Sequence, residues 1–388
     1  MRRDSARWLF VLLSALVVSE VMFFSALAPL LPHYARQLHL SKSAAGLLSA
    51  SYAIGTLLFA IPSGILVARI GARRATIASA LLLAGASVAF GLSRSVLALD
   101  TARFIQGIAG SGIWAGSLTW LAGSTPAERR GETVGAVLGI GIGGALLGPV
   151  IGSVSELTDP RIVFGAVALV IFVLATLAAA TPGPRETAGT TLARGLLRAV
   201  RGDPRLLAGM WFTGLSAALF GVLGVLAPLR LGALGAGAGV IGAVFLVSAA
   251  VEALASGLCG RLTDRRGPLA VLTVALAGSA LVAALLPLPD TVWLVALATV
   301  AAGACFGISW VPASVLLSAG AESEGLHQGL AYALWNLAWA LGLAIGAAGG
   351  APLAQLSSDA LPYWALAAVC VGTLLATRSR LRARATQT

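Results

Sequence analysis

Long stretches without a single Asp, Glu, Lys or Arg dominate the chain, and short polar clusters separate them. Residues 43–68, 75–93, 104–127, 133–155, 162–184, 206–229, 267–289 and 360–377 are free of charge. About 20 apolar residues in an α-helix cross the roughly 30 Å hydrocarbon layer of a bilayer, so most of these windows predict one crossing each. The longer runs 291–321 and 325–358 each hold one helix plus a loop. Two more predicted spans contain a single acid: about 8–32 with Glu20, and about 239–259 with Glu252. The pattern predicts twelve transmembrane helices and an all-α membrane protein. Strict alternation of apolar and polar residues is absent, which excludes a transmembrane β-barrel.

Composition agrees with this pattern. Only 11% of the 388 residues are charged and 58% are hydrophobic, against roughly 25% charged residues in soluble domains. The start, Arg2-Arg3 followed by an apolar run from Trp8, has the flavour of a signal peptide, but no small-residue cleavage site ends the run. It is read as the first span.

The net charge of +11 would suit a nucleic-acid partner if the basic residues formed a patch. They sit instead in the short loops. With the N-terminus placed in the cytoplasm, 20 Lys and Arg fall on the cytoplasmic side and 5 outside, while Arg103 lies within the fourth span. That bias predicts a multi-pass protein of the plasma or inner membrane with both termini cytoplasmic, in contact with lipid and not with nucleic acid. Cys259, Cys305 and Cys370 lie in apolar stretches without metal-like spacing and read as small buried hydrophobes.

An internal repeat organises the spans. Leu27-Ala28-Pro29-Leu30 recurs as Leu226-Ala227-Pro228-Leu229, Gly64…Arg69-x-Gly71 as Gly260…Arg265-x-Gly267, and Gly131, Gly148 and Gly152 as Gly329, Gly346 and Gly350, at offsets of 199, 196 and 198. The expected organisation is a six-helix bundle over 1–181, a cytoplasmic linker over 182–205 and a second six-helix bundle over 206–388. Parallel repeats of this kind build one large class of secondary transporters, with the substrate site between the halves. Charges present in one half only then point to function: Glu20 aligns with Leu219, Glu252 with Thr56, and Arg103 with about Val300.

Three motifs carry a family resemblance: Gly64-Ile-Leu-Val-Ala68-Arg69-Ile-Gly71-Ala-Arg73-Arg74 after the second span, Arg103-Phe-Ile-Gln106-Gly107 in the fourth, and Gly148-Pro149-Val-Ile-Gly152 in the fifth. Together they resemble the major facilitator superfamily, in particular its twelve-span drug:proton antiporters and the bacterial relatives of vesicular amine transporters. The resemblance implies two pseudo-symmetric six-helix bundles, transport without enzymatic chemistry, a small-molecule substrate, a proton gradient in place of any cofactor, and action as a monomer. It also implies a gate latch at the loop motif, with an acid at its fifth position. Here that position is Ala68, whereas the second copy, Gly260-Arg-Leu-Thr-Asp264-Arg265-Arg-Gly267, keeps the acid. For the Gly148, Pro149 and Gly152 face, it implies a rocking contact between halves.

Charges inside spans are costly, about 2.5–3.5 kcal/mol each on insertion scales, and mark candidate sites. Glu20, near the middle of the first span, has the chemistry of a proton carrier, with packing as its alternative. Arg103 cannot shed its charge and needs an acidic or carbonyl partner; the resemblance makes it a proton-relay residue, and a staple to Asp100 is the alternative. Glu252 suits either coupling or a structural role near the second loop motif. On the eleventh span Tyr332, Trp335 and Trp339 fall on one face beside Asn336, and Trp114 shares the Arg103–Gly107 face of the fourth, so these outline a weak substrate cavity. No metal-ligand cluster or ATP-binding Gly-x-x-x-x-Gly-Lys motif is present in the sequence. The expected function is proton-coupled export of lipophilic small molecules. A sugar or metabolite facilitator or symporter, or a non-transporting membrane sensor, stand as alternatives.

Overall fold

A computed structural model describes residues 3–126, 129–183, 200, 202–324 and 328–385. Residues 184–199 and 201 of the expected linker lie outside the described residues. Among the described residues the regular elements are all α-helices: α1 (Arg3–Ser25), α2 (Leu27–Gln37), α3 (Lys42–Ile70), α4 (Ala72–Leu92), α5 (Val96–Ser124), α6 (Arg130–Leu157) and α7 (Pro160–Ala180), then α8 (Pro204–Ala233), α9 (Ala238–Arg266), α10 (Pro268–Leu285), α11 (Val292–Gly307), α12 (Trp310–Ser323), α13 (Gln328–Leu356) and α14 (Ala360–Ala385). Eleven stretches are long and apolar enough to cross a membrane, with α1–α2 and α11–α12 each counted as one. The 29-residue α5, which carries Asp100 and Arg103, supplies the twelfth span. The protein is therefore an all-α, multi-pass membrane protein.

The two interrupted spans have local causes. Pro312 stands third in α12, and a proline lacks the N–H that would otherwise bond the carbonyl of Ile308, where α11 gives way to a turn. In the first repeat the equivalent position, 196 residues earlier, is Gly116, and α5 runs through it unbroken. The first span is interrupted at Ala26, three residues before Pro29.

The chain divides into two compact units, 1–39 with 51–191 and 40–50 with 192–388. The first turns of α3 thus go with the second unit. There Lys42 pairs with Asp359, and Gln355 Oε1 accepts from the backbone N–H of Ser43 at 2.9 Å and from its hydroxyl at 2.8 Å. In the first unit α1 lies along α6 and α4 along α5 and α7; in the second α8 lies along α13 and α12, α9 along α11, and α10 along α14. Phe23, Phe90 and Phe164 make an aromatic core in the first unit, the Phe164 ring lying 5.5 Å from Phe23 and 4.9 Å from Phe90, centroid to centroid.

The duplication is visible in individual contacts. A Cβ on Gly144, Gly148 or Gly152 of α6 would come within 2.5, 2.6 and 2.2 Å of the carbonyl oxygens of Val18, Met22 and Ala26 on the first span. In the second unit Gly342 and Gly346 of α13 meet the carbonyls of Gly214 and Ala218 at 2.0 and 2.1 Å, and Gly350 meets the Val222 side chain at 2.7 Å. Each glycine stripe is a seat for the first helix of its own unit, which is the packing the structure shows for Gly148 and Gly152. Gly71 and Gly267, the final glycines of the two loop motifs, both adopt positive φ, +84° and +79°, where a side chain would be strained.

Candidate functional site: an acid and a tryptophan in each repeat

In the first unit α1, α3 and α5 bring Glu20, Tyr52, Arg103 and Trp114 together. Glu20 is 1% exposed, and its Oε2 accepts the indole N–H of Trp114 at 2.8 Å. Its Oε1 is buried without a hydrogen-bond partner among the described residues. Room for that oxygen exists because residue 110 is glycine: a Cβ there would lie 2.5 Å from Oε1 and 2.8 Å from the Tyr52 hydroxyl.

Arg103, 2% exposed, lies close enough for its charge to act on Glu20 without forming a direct ion pair among the described residues. Its guanidinium donates to the carbonyls of Phe23 at 3.0 Å and Phe24 at 3.2 Å, beside the interruption between α1 and α2, and to Gln106 Oε1 at 3.1 Å. Gln106 in turn donates to the Ser87 hydroxyl at 3.5 Å. The Tyr52 ring lies 5.0 Å from the guanidinium carbon, within cation–π range. Arg103 thus finds carbonyl partners, and no staple to Asp100 forms among the described residues. Asp100 sits in the first turns of α5, half-buried, with Oδ1 unpartnered among the described residues.

In the second unit Glu252 of α9 accepts the indole N–H of Trp310 at 2.8 Å. Gly307 makes space for it, since a Cβ there would stand 2.4 Å from Glu252 Cγ and 2.9 Å from Oε1. Trp310 stacks on Phe220 at 5.7 Å and lies 5.7 Å from Trp335 of α13. Tyr332 and Asn336, half-buried, share α13 with Trp335.

The gating candidates fall at helix ends and packing seats. Gly107 packs on α3, where a Cβ would be 2.0 Å from the Tyr52 carbonyl oxygen; at Gly303, 196 positions on, a Cβ would be 2.1 Å from the Ser248 hydroxyl of α9. Arg73 donates to the carbonyls of Ala178 and Ala179 at the end of α7. Arg69, Asp264 and Arg265 are exposed. A Cβ on Gly64 would meet nothing within 4 Å, and one on Gly260 would lie 3.9 Å from Val311, among the described residues.

Sequence reasoning missed Tyr52, Trp310 and Phe220 and the role of Gln106. Trp310 could have been found, because it repeats Trp114 at the offset of the loop motifs. Nothing local marks Tyr52 or Phe220, whose places are set by helix packing.

Twelve apolar spans, a duplicated six-span unit and carboxylates within the spans define a helical membrane carrier. The chain belongs to the Major Facilitator Superfamily, whose family profile matches residues 13–232 and 212–387. A chloramphenicol resistance protein of Streptomyces lividans is 32% identical over 282 residues, covering 69% of this chain and 68% of that one. The MFS-type transporter ppzB of Metarhizium rileyi is 28% identical over 105 residues, which is 27% of this chain and 22% of its own length. Among solved structures, a bacterial homolog to the human lysosomal transporter Spinster has the same fold: its inward-facing unoccupied form superposes with a TM-score of 0.77 at 14% identity, covering 97% of this chain and 95% of that one. Its inward-facing occupied form gives 0.78 at 16% identity, with 92% and 83% covered.

Proposed function

We propose that the protein is a proton-coupled exporter of lipophilic small molecules that works by alternating access, without covalent chemistry or a cofactor. The observation that carries this reading is Glu20: a carboxyl group buried mid-span, held by one indole and beside one guanidinium, with an oxygen left without a partner among the described residues. A carboxyl group so placed can take a proton when it opens to an acidic exterior and release it when it opens to a more alkaline cytoplasm. Substrate binding near the ionised form and protonation then exclude each other, and the gradient drives exchange. Trp114 holds one carboxyl oxygen in place, and Arg103 relays or tunes the proton. The relative named for chloramphenicol resistance supports drug export, and the surplus of basic residues in loops on one side supports cytoplasmic termini in the plasma or inner membrane.

The test uses purified protein in proteoliposomes with an imposed proton gradient, and chloramphenicol and a lipophilic dye as cargo. The gradient is expected to drive both against their concentration, and Glu20→Gln to remove that driven component. Uptake indifferent to the gradient in the wild type would end the reading of proton coupling.

A further inference from the structure

Glu20 and Glu252 are each held by a tryptophan, yet only one of them has a countercharge. Arg103 stands near Glu20; no Lys, Arg or His pairs with Glu252 among the described residues. Glu252 is also half-buried where Glu20 is sealed, and only its Oε1 takes a hydrogen bond from a neighbour among the described residues. An uncompensated charge within a span is expensive, and such charges are ordinarily paired.

The surroundings of Glu252 suggest what completes it. Trp310, which holds Oε1, is stacked on Phe220 with an interplanar angle of 14°, and Trp335 meets Trp310 at 60°. All three rings are half-buried, so they keep accessible surface beside the carboxylate. Aromatic faces attract cations, and the attraction grows when water is excluded. The residues come from α8, α9, α12 and α13 of one unit, so the cluster is complete within it. Phe306 packs edge-on behind Phe220 at 5.8 Å and backs the cluster. Gly307 leaves space for this carboxylate, since a Cβ there would stand 2.4 Å from Glu252 Cγ.

We propose that Glu252, Trp310, Phe220 and Trp335 form a binding site for a lipophilic monovalent organic cation, whose positive charge replaces the missing side-chain countercharge. This deepens the reading of the protein as an exporter by naming one substrate class and its subsite. It rests on that reading for transport but not for binding.

The experiment is equilibrium dialysis of tetraphenylphosphonium against the full-length protein in detergent, with no proton gradient. Triphenylphosphine oxide, similar in its rings but uncharged overall, is the companion probe. Wild-type protein is expected to bind the cation more tightly than the neutral probe. Glu252→Gln should weaken the cation about tenfold or more, and the neutral probe by less than about threefold, because only the charge is lost. Trp335→Leu should weaken both, since it removes an aromatic face. Should Glu252→Gln fail to fold, as judged by melting temperature and monodispersity, Gly307→Ala displaces the carboxylate and reads the same site. Wild-type protein that does not bind the cation, unchanged cation binding in a folded Glu252 variant, or equal loss of both probes would each overturn the assignment. Loss of gradient-driven transport alone would strike the proton coupling and leave this site standing.

Discussion

Trp310 stands 196 positions after Trp114, and each donates its indole N–H at 2.8 Å to a glutamate on a different helix of its own unit. Trp114 reaches α1 and Trp310 reaches α9. The first-repeat equivalent of Glu252 is Thr56, whose hydroxyl turns back to the carbonyls of Tyr52 at 3.1 Å and Gly107 at 3.3 Å. The duplicated scaffold thus keeps the donor and changes the acceptor, which gives the two units different chemistry from one framework.

Substrate binding to purified wild-type protein in weakly buffered detergent should release protons, and Glu20→Gln should abolish the release while the protein still folds. The isosteric amide keeps a hydrogen-bond acceptor for Trp114 but has no proton to give. Equal release from both proteins, read with a pH dye, would move the coupling to Glu252 or Asp100.

Removing Arg103 alone strands the Glu20 charge and unties the carbonyls of Phe23 and Phe24. Arg103→Ala should therefore cost about 1–3 kcal/mol, the penalty of leaving buried acceptors unpaired. Combining it with Glu20→Gln should recover part of that loss, because no uncompensated charge remains. Melting temperatures of the two single variants and the double variant measure the coupling, and strictly additive losses would show that the two charges do not interact.

The glycine seats make a sharper structural prediction. Gly148→Ala and Gly346→Ala drive a methyl group against the carbonyls of Met22 and Ala218, at 2.6 and 2.1 Å, so each should destabilise by about 1–3 kcal/mol. Gly139→Ala on the same α6 meets nothing within 4 Å and should leave the melting temperature unchanged. Thermal unfolding followed in detergent compares them directly.

The loop arginines should separate. Arg73 caps carbonyls at the end of α7, whereas Arg69 is exposed and makes no hydrogen bond among the described residues. Arg73→Ala should lower the melting temperature by the worth of one exposed cap, about 1 kcal/mol or less. Arg69→Ala should not. If both slow transport equally while only the first loses stability, the gating role survives independently of the cap.

At the start of α8, Asp203 accepts from the backbone N–H of Arg205 at 2.7 Å, from its guanidinium and from the Ser323 hydroxyl at 2.5 Å. The Arg205 side chain, then the serine, holds the Asp203 carboxyl well below the usual carboxylate range. Its folded pKa is thus below its unfolded one, so the stability it adds is full above the unfolded value, about 4, and is lost as pH falls toward the folded one. Asp203→Ala should remove the cap, worth about 1 kcal/mol, at neutral pH and flatten this part of the acid dependence. A variant with an unchanged acid profile would count against the cap.

The chain's own pattern determined that it spans the membrane with helices and where most of them begin and end, because desolvating a charge is so costly that charge-free windows delimit spans. It also marked Glu20, Arg103 and Glu252, since a charge in such a window stands out against its neighbours. The recurring glycines were legible as a repeat. Only the tertiary structure decided what those residues touch. Arg103 turned to the carbonyls of α1 and not to Asp100, three residues away, because the interruption at Ala26 sets it beside the carbonyls of Phe23 and Phe24. The glycines of α6 became a seat for α1 and α2, and Tyr52, Phe220 and Trp310 joined the sites from helices distant in sequence. Helix packing is fixed by which backbones can approach closely, and that depends on partners tens to hundreds of residues apart, which no local window contains.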